Sequence, residues 1–186
     1  VILEGDTYDD SYEAAKKYCG DRNKTFIHPF DDPLVIEGQA TLAYEILEQT
    51  EEKIDSIIVP IGGGGLISGV LSVFKQLSPE TKVIGVEPLG APSMSTSLEK
   101  NEITTLDKID PFVDGASVKK VGNISFQVCQ KYLDEILLIP EGKICQSILN
   151  MYNKDAIVVE PAGAISVAAL ELYHEKFKNQ NVICLI

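Results

Sequence analysis

The chain has 186 residues with a formal charge of −12, from 28 acidic against 16 basic side chains, and 45% of it is hydrophobic. That is material for one domain, or one and a part, with a proper core, and the acidic balance argues against nucleic acid and acidic membrane surfaces as partners. No run approaches the roughly 18 apolar residues of a membrane span, and the scattered Cys19, Cys129, Cys145 and Cys184, without a C-x-x-C pair, fit a reduced cytoplasmic interior better than disulfides or a metal.

In chain order, Val1-Ile2-Leu3 reads as a strand. Thr7-Tyr8-Asp9-Asp10 resembles a capping box opening a helix through Lys17, closed by Gly20. Lys24–Phe30 reads as a second strand stopped by Pro29, and Asp31-Asp32-Pro33 as a turn or linker. Leu34–Gln49 carries Ile36, Ala40, Ala43 and Leu47 at helical spacing. Ser56–Pro60 is a short β-branched run, a buried strand, followed by Gly62–Gly65 and a helix to about Leu77. Lys82–Pro88 is a strand with Glu87 at its carboxyl end, and Ser93–Lys100 a helix followed by a loop. Phe112–Val118 reads as a strand or turn at a site edge; a helix near Ser125–Tyr132, a strand Glu135–Pro140 and a helix from Glu141 to about Tyr152 follow. Glu160-Pro161 opens a last helix to about Lys176, with proline at a first-turn position, and Val182–Ile186 is the final strand. Alternating strands and helices predict an α/β fold, a three-layer αβα sandwich around a mostly parallel sheet. The run that starts at Val1 and the one that stops at Ile186, without a turn or cap, read as edges of a piece of a longer chain.

The chemistry centres on Gly62–Gly65. Without Cβ atoms the backbone can turn sharply and come close to a ligand. The helix N-terminus that follows offers unpaired N–H groups and the positive end of its dipole. No Lys or Arg occurs between Lys53 and Lys75, so amides would do the local work of holding a phosphate. At roughly 1.5–3 kcal/mol for each charge-assisted hydrogen bond, four converging amides suffice for a dianion. A nucleotide P-loop fails here, because Gly65 is followed by Leu66-Ile67 where Lys-Ser/Thr is needed. The dinucleotide fingerprint comes closer: Gly63 and Gly65 fit, Ser68 stands at the third glycine, and Glu87 is placed to act as the ribose-binding acid. A bare packing turn between strand and helix is the plainer alternative.

Taken together, Phe26–Asp32 with Glu37-Gly38-Gln39, then Gly62–Gly69, Gly85–Pro88 with Gly90–Met94, Val113-Asp114-Gly115, and Glu160–Ala164 resemble the threonine ammonia-lyases (threonine dehydratases). These are pyridoxal-phosphate enzymes of the tryptophan-synthase-like fold, fold type II, and the resemblance is collinear over nearly the whole chain. It implies pyridoxal 5'-phosphate as cofactor and an amino acid as substrate. Gly62, Gly63, Gly64, Gly65 and Leu66 would be phosphate contacts, Gly115 would lie beside the cofactor ring, and Glu160 would line the site. It also implies a homo-oligomer, a dimer or tetramer, and two domains: residues 1–30 as the remnant of a small domain, and 31–186 as the large phosphate-binding domain. Ser125–Ile157 resembles the biosynthetic branch that feeds isoleucine synthesis more than the catabolic one.

Two family segments have no counterpart here: the Ser-Phe-Lys-x-Arg-Gly segment that carries the Schiff-base lysine, and the Ser-Gly-Gly-Asn expected directly after Ile186. No catalytic residue is therefore assigned in this chain, and Lys16, Lys17, Lys75, Lys119 and Lys120 read as surface lysines. Related racemases and dehydratases hold a divalent cation at positions matched by Glu87 and Ala91; Ser93 stands where their Asp would be, which weakens a hard-cation site and leans against a racemase. No metal is assigned, and Glu87 reads equally well as a cap. His28 reads as a stabiliser of the Pro29 turn, His174 as a surface residue late in a helix, and the cysteines as core or near-core thiols. The expected activity of the intact protein is conversion of L-threonine to 2-oxobutanoate and ammonia. The rivals are a catabolic serine/threonine dehydratase, a serine racemase, a dinucleotide-binding domain and a non-catalytic fragment.

Overall fold

In the computed structural model, which describes residues 1–186, seven α-helices accompany a four-stranded sheet. Helix α1 (Tyr8–Asp21) starts from a complete capping box, in which Thr7 Oγ accepts the Asp10 N–H and Asp10 answers to the Thr7 N–H. Helix α2 (Pro33–Gln49) has Pro33 at its first position and Asp32 as its cap, accepting from the Leu34 N–H at 2.8 Å. Strand β1 (Ser56–Pro60) leads into α3 (Gly65–Leu77), and β2 (Lys82–Pro88) into α4 (Ser93–Lys100). A 3₁₀ turn (Asp114–Ala116), α5 (Asn123–Tyr132), β3 (Glu135–Ile139) and α6 (Glu141–Asn150) follow. Helix α6 runs into a single π-helical turn (Met151–Asp155); α7 (Pro161–Leu172) and β4 (Val182–Cys184) end the chain.

The sheet is wholly parallel in the order β3-β2-β1-β4, with Ile58 level with both Ile84 and Cys184. Successive side chains of a strand point to opposite faces, and two cores result. Ile57, Val59 and Val83 pack with α2, α3 and α5, around Phe74, Val70 and Ala43. Ile58, Ile84, Val86 and Ile139 pack with α6 and α7, around Ile144, Ile165 and Ala168. This is the expected three-layer αβα arrangement, and it brings the carboxyl ends of all four strands to one side.

Helices α2 and α3 pack tightly at Gly69, where an added Cβ would lie 2.6 Å from Ala40 N and 2.8 Å from Ile36 O. Backbone cannot yield there as a side-chain tip can. Gly69→Ala should therefore lower stability by about 1–3 kcal/mol, an overpacking cost, in a denaturant melt. A variant as stable as the parent would mean that the two helices separate freely.

Several expected elements differ. Val1–Leu3 and Lys24–Phe30 form no strand; Val1, Ile2, Leu3 and Ile27 are exposed. Their β-branched and aromatic residues suit a pleated surface, but no neighbouring strand offers them a ladder. Helix α1 runs through Gly20 to Asp21 rather than closing there, because the left-handed residue that reverses the chain is Asn23, at φ 48°. Of the strand or turn expected over Phe112–Val118, the chain forms the turn, as the 3₁₀ segment Asp114–Ala116. Helix α7 stops at Leu172, so His174 lies in the following turns, where Phe177 folds back into the core. Strand β4 ends at Cys184, although the Leu185 N–H still donates to Ile58 O at 3.1 Å. The cysteines are all free, with Cys129 buried but Cys145 exposed, which corrects the reading of all four as core or near-core.

Candidate functional site

Strand β1 has β2 on one side and β4 on the other, so the strand order switches direction at β1 and leaves a crevice beyond its carboxyl end. The chain crosses that crevice as Gly62–Gly64 before α3 begins. Gly64, at the cap position, has φ +94°, a conformation glycine adopts without strain. The first hydrogen bond of α3 runs from the Ser68 N–H to Gly64 O at 3.1 Å. The N–H groups of Gly62, Gly63, Gly64, Gly65 and Leu66 donate to no protein acceptor.

Those five residues line one cavity of about 370 Å³. Gly115 and Glu160 line it as well, so every residue singled out for the cofactor faces a single space. The 3₁₀ turn brings in Gly115, whose missing side chain admits Ala162: a Cβ there would sit 2.9 Å from Ala162 Cβ. Glu160 stands just before α7, its side chain making no capping bond, with Pro161 at the first helical position. Sequence reasoning did not assign Pro29, Phe30, Gln39, Pro60, Ala162, Gly163, Leu185 and Ile186, which complete the lining. Only the strand and helix packing brings these distant segments together; local spacing carries no signal for it.

No Lys or Arg lines the cavity. A packing turn would account for the glycines alone, since a Cβ at Gly62 would meet the backbone of Gly115 and Ala116 at 3.1 Å and one at Gly65 the backbone of Phe30 at 2.9 Å. It leaves the row of unpaired amides without a purpose. An anion of phosphate size fits that row, the glycine gap and the N-terminal dipole of α3 together. The residues present thus suit a phosphate monoester.

Glu87 lies elsewhere. Its side chain is 0% exposed, and its carboxylate caps α4, accepting the Met94 N–H at 2.7 Å and the Ser95 N–H at 2.9 Å, with the Ser93 hydroxyl at 3.4 Å. Burial raises its pKa to about 7 against the lowering effect of those hydrogen bonds. A buried, capping carboxylate is closed to a ribose, which removes the acid of the dinucleotide reading. The cation set does not fit either, because Glu87 is taken up by the Met94 and Ser95 amides and Ser93 brings no charge.

His28 stabilises the turn at Pro29, its Nδ1 accepting the Phe30 N–H at 3.2 Å and the Asp31 N–H at 2.9 Å. Burial lowers its pKa, in keeping with a neutral ring that uses Nδ1 as an acceptor. Lys75 departs from the surface reading: it is half-buried and paired with Asp134 at 2.5 Å. No helix is long and apolar enough to cross a membrane.

Comparison with known proteins identifies the family. The sequence profile of the family described as "Pyridoxal-phosphate dependent enzyme" matches residues 1–186. The chain is 54% identical to the L-threonine dehydratase biosynthetic IlvA of Halalkalibacterium halodurans, over 100% of this chain and 45% of that protein. It therefore spans about half the length of the curated relatives it matches. Among solved structures, the processed form of threonine deaminase isoform 2 from Solanum lycopersicum superposes with a TM-score of 0.91 at 39% identity, over 98% of this chain and 54% of that one. Maize serine racemase follows with a TM-score of 0.88 at 30% identity, over 98% of this chain and 56% of that one. An amide-lined anion cup at the carboxyl end of a parallel sheet, set in a sequence that matches from first residue to last, places this chain in the family of pyridoxal-phosphate dependent enzymes, fold type II.

Proposed function

We propose that this chain is the cofactor-phosphate part of a threonine ammonia-lyase that converts L-threonine to 2-oxobutanoate and ammonia in isoleucine biosynthesis. The observation that carries the reading is the cation-free amide cup in a chain 54% identical to a biosynthetic threonine dehydratase. When bound, pyridoxal phosphate supplies an electron sink for the pair left as the substrate Cα–H bond breaks. The chain's own residues bind and orient: the N–H groups of Gly62–Leu66 would hold the phosphate, and Gly115 and Glu160 would border the ring. Since no lysine lines the cavity, the reading assigns the Schiff-base lysine and the ring-nitrogen partner to chain outside these residues.

Residues 1–30 would belong to a small domain and 31–186 to the large one. Supporting this, α1 has no buried residue, whereas α2 buries Ile36 and Ala43. The same reading makes the protein cytoplasmic and a homo-oligomer, dimer or tetramer, which light scattering would check. The similarity to a serine racemase keeps that activity as the second reading. Against it stands Glu87, committed to its own helix where a cation-dependent racemase needs a ligand.

The test is to express the complete reading frame that encodes this chain, load it with pyridoxal phosphate and assay L-threonine and L-serine. Formation of 2-oxobutanoate from L-threonine is expected, with little D-serine from L-serine. D-Serine without 2-oxobutanoate would overturn the assignment. In a melting assay pyridoxal phosphate should raise the transition and NAD should not.

A further inference from the structure

We infer that Phe30 is a positioning residue for the phosphate cup, holding the glycine loop in its anion-binding shape before a ligand arrives. The inference rests on the cofactor-phosphate reading and deepens it. A run of four glycines loses more backbone freedom on ordering than other residues would, so a loop left to itself would meet that cost at each binding event. Something must hold it. The ring of Phe30 lies flat on Gly63: a Cβ there would fall 2.3 Å from its Cγ and Cδ1. Its own Cβ and carbonyl oxygen lie 2.9 Å from the corresponding point at Gly65. One aromatic residue, far from the loop in sequence, therefore presses on two of the glycines whose amides form the cup.

Phe30 is itself held from both sides. Its N–H and that of Asp31 donate to His28 Nδ1, and the His28 ring meets the Phe30 ring edge-on at 4.7 Å. On the other side Asp31 accepts from the Asn123 N–H at 2.9 Å and the Ile124 N–H at 2.8 Å at the start of α5. Gly122, just before that helix, donates to Gly63 O at 3.0 Å. Ring, clasp and loop form one closed circuit around the cup.

Phe30 also borders two spaces. Phe30 lines the phosphate cavity and a second cavity of about 280 Å³, where Tyr8, Tyr12, Lys16 and Lys120 stand. Removing the ring would open the amides to that space and its water. Hydrogen bonds to the phosphate would then be made in a wetter, higher-dielectric setting and would be weaker. Preorganisation and water exclusion act in the same direction, and both act at the phosphate end of the cofactor.

The test uses the complete reading frame and compares dissociation constants for pyridoxal phosphate and for pyridoxal, which lacks the phosphate. Phe30→Ala should weaken pyridoxal phosphate by about tenfold or more and pyridoxal by less than about twofold, while Phe30→Leu falls between alanine and the parent. Equal losses for the two ligands, or no loss, would overturn the inference. Should the alanine variant fail to fold, a leucine variant with the parental ratio of the two constants would overturn it as well. Parent protein that binds no pyridoxal phosphate would overturn the cofactor reading itself, an outcome separate from an unchanged Phe30 variant.

Discussion

Gly64→Ala is expected to abolish tight binding of pyridoxal phosphate, raising Kd by about a hundredfold or more. At φ +94° a side chain costs about 1–2 kcal/mol of strain. Its Cβ would also lie 2.6 Å from Ser125 Cβ on α5, a contact that only a backbone shift relieves. Gly64 is the cap of α3, so the shift re-aims the amides on either side of it. Loss of two charge-assisted bonds at roughly 1.5 kcal/mol each already gives the hundredfold figure. Titration of the variant by the cofactor's absorbance measures it, and parental affinity would show that the phosphate does not depend on this turn.

The second large effect concerns Glu87 and pH. Its pKa rises from 4.5 in water to about 7 in the fold, so between these values the folded chain keeps a proton that the unfolded chain gives up. The stabilisation is whole below pH 4.5 and is lost as pH rises through about 7, amounting to about 3 kcal/mol. Glu87→Gln removes the titration at the cost of one acceptor for the Met94 or Ser95 N–H. Relative to the parent, the glutamine variant should therefore gain stability between pH 5 and pH 8. Denaturant melts of both proteins at the two pH values measure the difference. A constant difference would show that Glu87 is already ionised at pH 5 in the fold.

Much of the architecture was legible because its signals are local. The run Ser56–Pro60, the glycines after it and the helical spacing of Ile67, Val70, Leu71 and Phe74 lie within a few residues of one another, and the structure forms β1, the loop and α3 from them. Thr7 with Asp10, and Pro161 after Glu160, likewise mark helix starts by contacts only a few residues long. What failed needed a neighbour. Val1–Leu3 and Lys24–Phe30 have strand-like side chains, yet no strand lies beside them. Gly20 is the expected close of α1, but the backbone places the reversal on Asn23.

The site divides in the same way. Gly62–Leu66, Gly115 and Glu160 converge on one cavity, whereas the part played by Phe30 and Leu185 depends on how α2 and β4 pack against the loop. Glu87 shows the limit of a motif. A carboxylate at the end of a strand looks alike whether it meets a ribose, a cation or a helix end, and only the Met94 and Ser95 amides turned toward it decide.

The most direct measurement is a crystal structure of the complete reading frame's product with pyridoxal phosphate bound. It should place the phosphate oxygens within hydrogen-bonding distance of the N–H groups of Gly62–Leu66, with no Lys or Arg of residues 1–186 in contact and the ring toward Gly115. A phosphate bound by a lysine or arginine of this chain, or seated away from the glycine loop, would contradict the amide-cup account.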